Sequence, residues 1–160
     1  MTDWPEPVRR VASFLQEAAA EARIEEFPAG TPTALAAAEA VGCELSRIVK
    51  SLLFRCDGRP LLVLVPGDRR ADPRKIATAA RAERARVAGP DDVRDVTGFE
   101  PGAVAPFALR GVEDVLVDGA LVVDGLLWVG AGSTTHLAGV GSAELLRLTR
   151  GRTVDVAEDA

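Results

Sequence analysis

The segment from Ile48 to Cys56 constrains the fold most, because its pattern predicts a buried strand with a lysine inside it. Branched and large apolar residues favour a strand that buries side chains on at least one face. Side chains alternate along a strand, so Lys50 shares its face with Leu52 and Phe54. Burying an unpaired ammonium group costs several kcal/mol. We therefore expect Lys50 to have a partner or to line a cavity; the alternative is that it reaches solvent or pairs with an acidic residue.

Lysine is rare in this chain, which has only Lys50 and Lys75 against seventeen arginines. Arginine is therefore the default cation, and each lysine calls for its own explanation. The compact ammonium group of lysine and the planar guanidinium group of arginine are not interchangeable in a shaped pocket. The sequence pattern alone leaves both interpretations of Lys50 open; the resemblance described below makes it the candidate catalytic residue.

The length of 160 residues predicts one domain spanning residues 1–160, since such a chain buries roughly 70% of its unfolded surface. No run approaches the ~18 apolar residues of a membrane span, and residues 1–5 lack the features of a signal peptide. We expect a cytoplasmic protein with no membrane partner. Cys43 and Cys56 are predicted to be free thiols. A single histidine, His136, argues against a metal site.

Basic residues are concentrated between positions 69 and 86, where seven cations accompany Asp72 and Glu83 for a net charge of +5. A cluster of this kind can contact phosphates. The alternative is a solvated helix face. The basic members are Arg69, Arg70, Arg74, Lys75, Arg81, Arg84 and Arg86.

Periodicity and turn signals predict a mixed α/β (α+β) domain, in which hairpins alternate with helical crossovers. A first helix of about 16 residues follows Pro5 and Pro7. Residues 97–107 are predicted to form an ordered, partly buried loop, and residues 130–133 a glycine-rich turn. Further helices are predicted at 34–40, 73–80, 90–96 and 143–148. Strands are predicted at 24–27, 48–56, 61–65, 115–117, 121–123 and 126–129, with short ones near 87 and at 153–156.

Several familiar sites are absent. The segment beginning at Gly130 lacks the third glycine of a dinucleotide loop, and no phosphate-binding lysine follows it. The chain has no nucleophile elbow. Ser133 and His136 are too generic a pair to indicate a catalytic triad, since sequence spacing does not define geometry. We interpret His136 as structural or exposed, with a place at a site as the alternative.

Three segments together resemble one known family, the YbaK/ProX-type aminoacyl-tRNA deacylases, which are related to the editing domain of bacterial prolyl-tRNA synthetases. Residues 48–54 resemble the lysine-bearing strand of that family. Residues 97–107 resemble its G-x-x-x-P loop, and residues 129–133 its later glycine-rich turn. The resemblance covers about residues 10–150 in the same order.

The resemblance implies a compact fold with a barrel-like sheet and hydrolysis of the ester that joins a wrong amino acid to tRNA. It implies no metal and no organic cofactor. Aminoacyl-tRNA is the expected partner, and an aminoacyl-tRNA synthetase is a possible second one. Lys50 is expected in the pocket, and Arg70, Arg74 and Arg81 are candidate tRNA contacts. The substrate-binding residues implied are Gly98, Gly102, Ala103, Val104, Ala105, Pro106, Gly130, Gly132 and Ser133.

Elementary chemistry is compatible with this assignment. An aminoacyl ester is already activated, so hydrolysis needs a placed water and stabilisation of the developing oxyanion more than a strong nucleophile. Many relatives have Gly and Ser where this chain has Ala103 and Ala105, which leaves the substrate amino acid open. It also keeps an alternative function open, that of a non-catalytic relative that binds tRNA or a synthetase through the same pocket.

Overall fold

The computed structural model describes residues 3–112 and 114–159. Helices and strands alternate along the chain in the mixed order that the sequence predicts. The helices are α1 (Glu6–Glu17), α2 (Ala34–Val41), α3 (Pro73–Ala80), α4 (Pro90–Thr97) and α5 (Ser142–Thr149). The strands are β1 (Ala22–Glu26), β2 (Val49–Cys56), β3 (Arg59–Pro66), β4 (Ala85–Val87), β5 (Asp114–Asp118), β6 (Leu126–Ser133), β7 (His136–Gly141) and β8 (Arg152–Val154).

The described strands form two sheets rather than the predicted barrel-like one. The larger sheet has the order β4-β2-β3-β5-β8, and the smaller has the order β1-β7-β6. An isolated bridge between Ile48 and Trp128 brings the two sheets together at the start of β2. The mixed α/β class is confirmed. The barrel is not formed, because closure requires continuous pairing between strands and the two sheets of the described residues share only this isolated bridge.

Local signals explain several element ends. The side chain of Asp72 accepts a hydrogen bond from the amide of Arg74, and Pro73 follows as the first residue of α3, as predicted. Gly42 ends α2 with a left-handed φ of 81°. The first helix is shorter than expected, with 12 residues, because the chain turns at Ala18.

One strand prediction and one turn prediction were wrong. Residues 119–121 form a 3-10 turn, so the predicted strand at 121–123 and its hairpin do not form. The predicted glycine-rich turn at 130–133 lies entirely within β6, which pairs with the unpredicted strand β7. β7 is hydrogen-bonded on both sides, to β1 and to β6, so tertiary pairing overrides its low β-propensity.

The larger sheet carries an apolar layer on each face. On one face, Val11 of α1 packs with Leu62 and Leu64 of β3. On the other, Ile76 of α3 packs with Leu61, and with further residues of β3 and β5. Alternate residues of β3 therefore serve opposite layers, which explains the continuous apolar run of this strand.

Candidate functional site

A cavity of about 250 Å³ lies where the two sheets meet. Four parts of the chain surround it: the approach to α2, the start of β2, the loop around Gly102 and the middle of the smaller sheet. Its walls are mainly apolar, with a few hydroxyl and amine groups, a composition typical of small-molecule sites. The lining residues are Thr31, Pro32, Thr33, Ala34, Ala37, Ile48, Val49, Lys50, Ser51, Leu52, Gly102, Val104, Gly130 and Leu137.

Among the strands of the described residues, none covers the β2 edge at Ser51, which faces the cavity. β4 pairs only with residues 54–56 of β2, and the amide of Ala88 extends that contact to the carbonyl of Leu53. Backbone groups alternate in direction along a strand, so those of Ser51 point to the same side as those of Leu53. The edge at Ser51 therefore presents backbone donor and acceptor groups towards the cavity.

Lys50 lines this cavity and has a partner, as its place in a buried strand predicts. Its ammonium group donates a hydrogen bond to the carbonyl of Arg69, in the loop after β3. Burial lowers the pKa of Lys50, the neighbouring Arg70 lowers it further, and Asp68 raises it. An ammonium group has three N–H donors. One of them binds the Arg69 carbonyl and holds the group in place, and the other two are available to a ligand.

Ser51 is a candidate residue that the sequence reasoning missed. Ser51 is one of the residues that line the cavity, and its buried hydroxyl has no hydrogen-bond partner within the described part of the chain. The hydroxyls of Thr31 and Thr33, which also line the cavity, are already hydrogen-bonded to backbone groups. A buried hydroxyl without a partner carries an energetic cost, so a ligand or water that binds it recovers that cost. No sequence signal marks this position, because the missing partner is a property of the fold.

The loop at 102–104 closes over Gly130, and glycine is needed there. A Cβ at position 130 would lie 2.5 Å from the carbonyl oxygen of Val104. The same loop is tied to β6 by a hydrogen bond from the amide of Gly132 to the carbonyl of Ala103. The close approach of this loop to β6 therefore forms one wall of the cavity.

The structure separates the predicted substrate-binding residues into two groups. Gly102, Val104 and Gly130 line the cavity with Lys50. The others lie outside its lining, and their predicted contact with substrate stays a prediction. Ala103 and Ala105 are buried, Pro106 is buried beside them, and Gly98 ends α4 next to Arg10 and Arg110. Gly132 packs against Pro7, and Ser133 binds His136.

Ser133 and His136 do meet, but away from the cavity lining. The hydroxyl of Ser133 lies 2.6 Å from Nδ1 of His136, and Nε2 lies 3.7 Å from a carboxylate oxygen of Glu26. The Ser133 hydroxyl also accepts from the amide of Thr135, so it stabilises the β6–β7 turn. Burial lowers the pKa of His136, while Glu26 raises it. The structural interpretation of His136 accounts for these contacts.

The basic cluster is partly neutralised. Lys75 pairs with Asp155 and Asp159, at 3.0 and 2.7 Å. Arg70, Arg74 and Arg81 are exposed, and Arg70 lies close enough to Lys50 to affect its pKa. The free positive charge of the cluster therefore begins beside the cavity and continues along α3.

Cys43 and Cys56 are free thiols, as predicted. No group of three or more His, Cys, Asp or Glu side chains in residues 3–112 and 114–159 is arranged to hold a metal ion. Within the same residues, no helix has the length and apolar character needed to cross a membrane.

Comparisons with known proteins show the family to which the chain belongs. The chain is 37% identical over 99 residues to the uncharacterized protein YwhH of Bacillus subtilis, covering 61% of this chain and 62% of that protein. It is 35% identical over 120 residues to a proline–tRNA ligase of Nitratidesulfovibrio vulgaris, covering 74% of this chain and 21% of the ligase. The chain thus spans less than two thirds of the length of these curated relatives.

Solved structures extend the similarity over nearly the whole chain. The crystal structure of a candidate trans-editing enzyme for prolyl tRNA synthetase superposes with a TM-score of 0.92 at 33% identity, covering 98% of this chain and 100% of that one. The hypothetical protein APE2540 superposes with a TM-score of 0.88 at 27% identity, covering 93% and 99%. The model of the aminoacyl-tRNA editing domain matches residues 28–148. The chain belongs to the aminoacyl-tRNA editing domain family.

Proposed function

We propose that this chain is a trans-acting deacylase that hydrolyses the ester bond of mischarged tRNA in the cavity beside Lys50. The observation that carries the proposal is the junction of a lysine ammonium group, an unpartnered hydroxyl and an open strand edge around one small cavity. Family membership and the similarity to a candidate trans-editing enzyme support it.

The chemistry assigned to each part follows from its geometry. The Lys50 ammonium group stabilises the negative charge that develops on the carbonyl oxygen of the ester. Its hydrogen bond to the carbonyl of Arg69 keeps the ammonium group in place. Backbone groups at Gly102 and along the β2 edge orient the aminoacyl group against the wall formed by Val104 and Gly130. Hydrolysis adds a water to the ester carbonyl and releases the free amino acid and the tRNA hydroxyl.

The exposed arginines beside the cavity supply the tRNA contact in this proposal. Arg70 lies next to Lys50, and Arg74 continues the positive surface on α3. A phosphate of the tRNA acceptor end that binds there would place the terminal ester at the cavity mouth. The substrate therefore combines a small aminoacyl group with a polyanionic carrier.

The test is release of the amino acid from a panel of mischarged tRNAs, with correctly charged tRNAs as controls. We expect selective hydrolysis of at least one mischarged species, lost in the Lys50→Ala variant. Binding of the tRNAs without hydrolysis of any of them would refute the deacylase and favour the non-catalytic alternative.

A further inference from the structure

We infer that residues 155–159, which we term the C-terminal strap, position the Lys50 ammonium group by fixing the loop that holds it. This inference rests on the proposed function, because it assigns a positioning role in the same site. The strap follows β8 and lies outside the segment matched by the family model. None of residues 155–159 is among the residues that line the cavity.

The strap is anchored first to a buried carboxylate. Asp118, at the end of β5, is 2% exposed. One of its oxygens accepts hydrogen bonds from the amides of Val156 and Ala157, at 3.0 and 3.2 Å. Its other oxygen accepts from the amide of Ala120 at 3.1 Å. A carboxylate satisfied by three backbone amides is a rigid attachment point for the strap.

The strap then binds the loop that follows β3. The amide of Glu158 donates to the carbonyl of Arg70, and the amide of Asp72 donates to the carbonyl of Val156, both at 2.8 Å. Ala71 and Ala157 form an antiparallel bridge between these two bonds. Two backbone hydrogen bonds thus flank Ala71 and hold the loop against the strap.

Arg69 is the residue of this loop that reaches Lys50. Its carbonyl accepts the hydrogen bond from the Lys50 ammonium group, and its amide donates to Pro66 at 3.0 Å. The adjacent carbonyl, that of Arg70, is the one held by the strap. A continuous set of contacts therefore joins Asp118 to Lys50 through the strap and the loop.

Lys75 fastens the strap from outside. Its ammonium group donates to Asp155, to Asp159 and to the carbonyl of Ala157, at 2.7 to 3.0 Å. The two lysines of the chain thus lie at the two ends of one set of contacts. Lys75 binds the strap, the strap binds the loop, and the loop binds Lys50. An arginine at position 75 would present a planar fork instead of one point donor to these three acceptors.

The decisive comparison is Glu158→Pro against Glu158→Ala. The side chain of Glu158 is exposed, so the alanine variant keeps the amide that binds Arg70, and the proline variant removes it. Because the chain has two lysines, a spectrum with 13C-labelled lysine side chains has one signal for each, assigned with Lys75→Arg. Lys50 can therefore be titrated in each variant without any enzymatic assay.

In Glu158→Pro we expect the pKa of Lys50 to rise towards its ordinary value, because a released loop lets the ammonium group reach solvent and moves Arg70 away. We expect kcat for deacylation to fall roughly tenfold to a hundredfold at unchanged KM. Glu158→Ala should match the parent chain in both. If the proline variant fails to fold, Lys75→Gln replaces it, with the same changes expected at smaller size.

Equal Lys50 titration and equal kcat in the proline and alanine variants would overturn the inference, whatever the change in thermal stability. A loss of stability alone would show that the strap only covers the core. The proposed function is tested separately: if the parent chain hydrolyses no mischarged tRNA, the deacylase proposal fails, while the Lys50 titration still decides whether the strap holds the loop.

Discussion

Two serines in this molecule, Ser51 in the cavity and Ser133 in the β6–β7 turn, show how a candidate site differs from a structural one. The Ser133 hydroxyl contacts the amide of Thr135 and Nδ1 of His136. The Ser51 hydroxyl is buried and has no partner within the described residues. Folded proteins rarely leave a buried polar group unpaired without a reason. The Ser133 hydroxyl therefore already has partners within the turn, whereas the Ser51 hydroxyl is a candidate for a ligand contact.

The largest effect is expected at Lys50, the cation of the cavity. Replacing it with alanine should lower kcat/KM for deacylation by roughly 10²- to 10³-fold, because one donor to the developing oxyanion is lost. Lys50→Arg should be nearly as damaging, since its planar group does not fit the place of a compact ammonium. Rates on a mischarged tRNA, with circular dichroism to check folding, test this. An arginine variant with near-parental turnover would contradict the role assigned to Lys50.

Gly130→Ala should have the second largest effect on kcat/KM, because it alters the wall of the cavity. The added Cβ would lie 2.5 Å from the Val104 carbonyl oxygen, so the loop must move. We expect kcat/KM to fall roughly a hundredfold, as displacements of about 1 Å can do. Gly141→Ala is the matched control, since a Cβ at that glycine of the same sheet meets nothing within 4 Å. Equal activity in both variants would show that the loop position does not matter.

Alanine substitutions test the difference between the two serines directly. Ser51→Ala should reduce kcat/KM roughly tenfold, which corresponds to a hydrogen bond of about 1.4 kcal/mol, and leave thermal stability unchanged or higher. Ser133→Ala should do the reverse, with the free energy of unfolding lowered by about 1–3 kcal/mol and kcat/KM maintained. Denaturant unfolding and deacylation rates measure the two quantities. Equal changes of unfolding free energy and of kcat/KM in the two variants would contradict the proposed difference between Ser51 and Ser133.

The smallest effect is expected on the basic surface. Charge reversal at Arg70, Arg74 or Arg81 should weaken tRNA binding a few-fold and reduce the slope of log affinity against log salt by about one unit. Hydrolysis of a small aminoacyl ester should hardly change. Arg9→Glu is a suitable control, because Arg9 is exposed on α1, which contacts β6 and contributes to a different apolar layer from α3. Equal losses of tRNA affinity in the control and the cluster variants would show that the effect depends on net charge alone and not on a specific contact.

Local chemistry made part of this molecule predictable. The cap formed by Asp72 and Pro73 depends on adjacent residues, and it was predicted correctly. The need of Lys50 for a partner or a cavity follows from the cost of burying a charge, and both were found. The partner is a backbone carbonyl, which side-chain patterns do not indicate.

Features that depend on distant parts of the chain were not predictable. β7 contains two glycines and an alanine, and it becomes a strand because β1 and β6 bind its two edges. The open backbone edge at Ser51 depends on where β4 stops pairing with β2. The predicted barrel failed for the same reason, since closure depends on pairing between strands far apart in sequence. Sequence patterns describe faces and turns, whereas the cavity depends on how two sheets meet.

The most direct measurement is the binding site of a non-hydrolysable substrate analogue, an adenosine that carries its amino acid through an amide bond. Titration into 15N-labelled protein, for a panel of amino acids, locates the ligand by its chemical-shift changes. We expect the bound analogue to shift the amide signals of Ser51, Gly102, Val104 and Gly130 together with the side-chain signal of Lys50. Changes centred instead on Ser133 and His136, with the cavity amides unmoved, would contradict it.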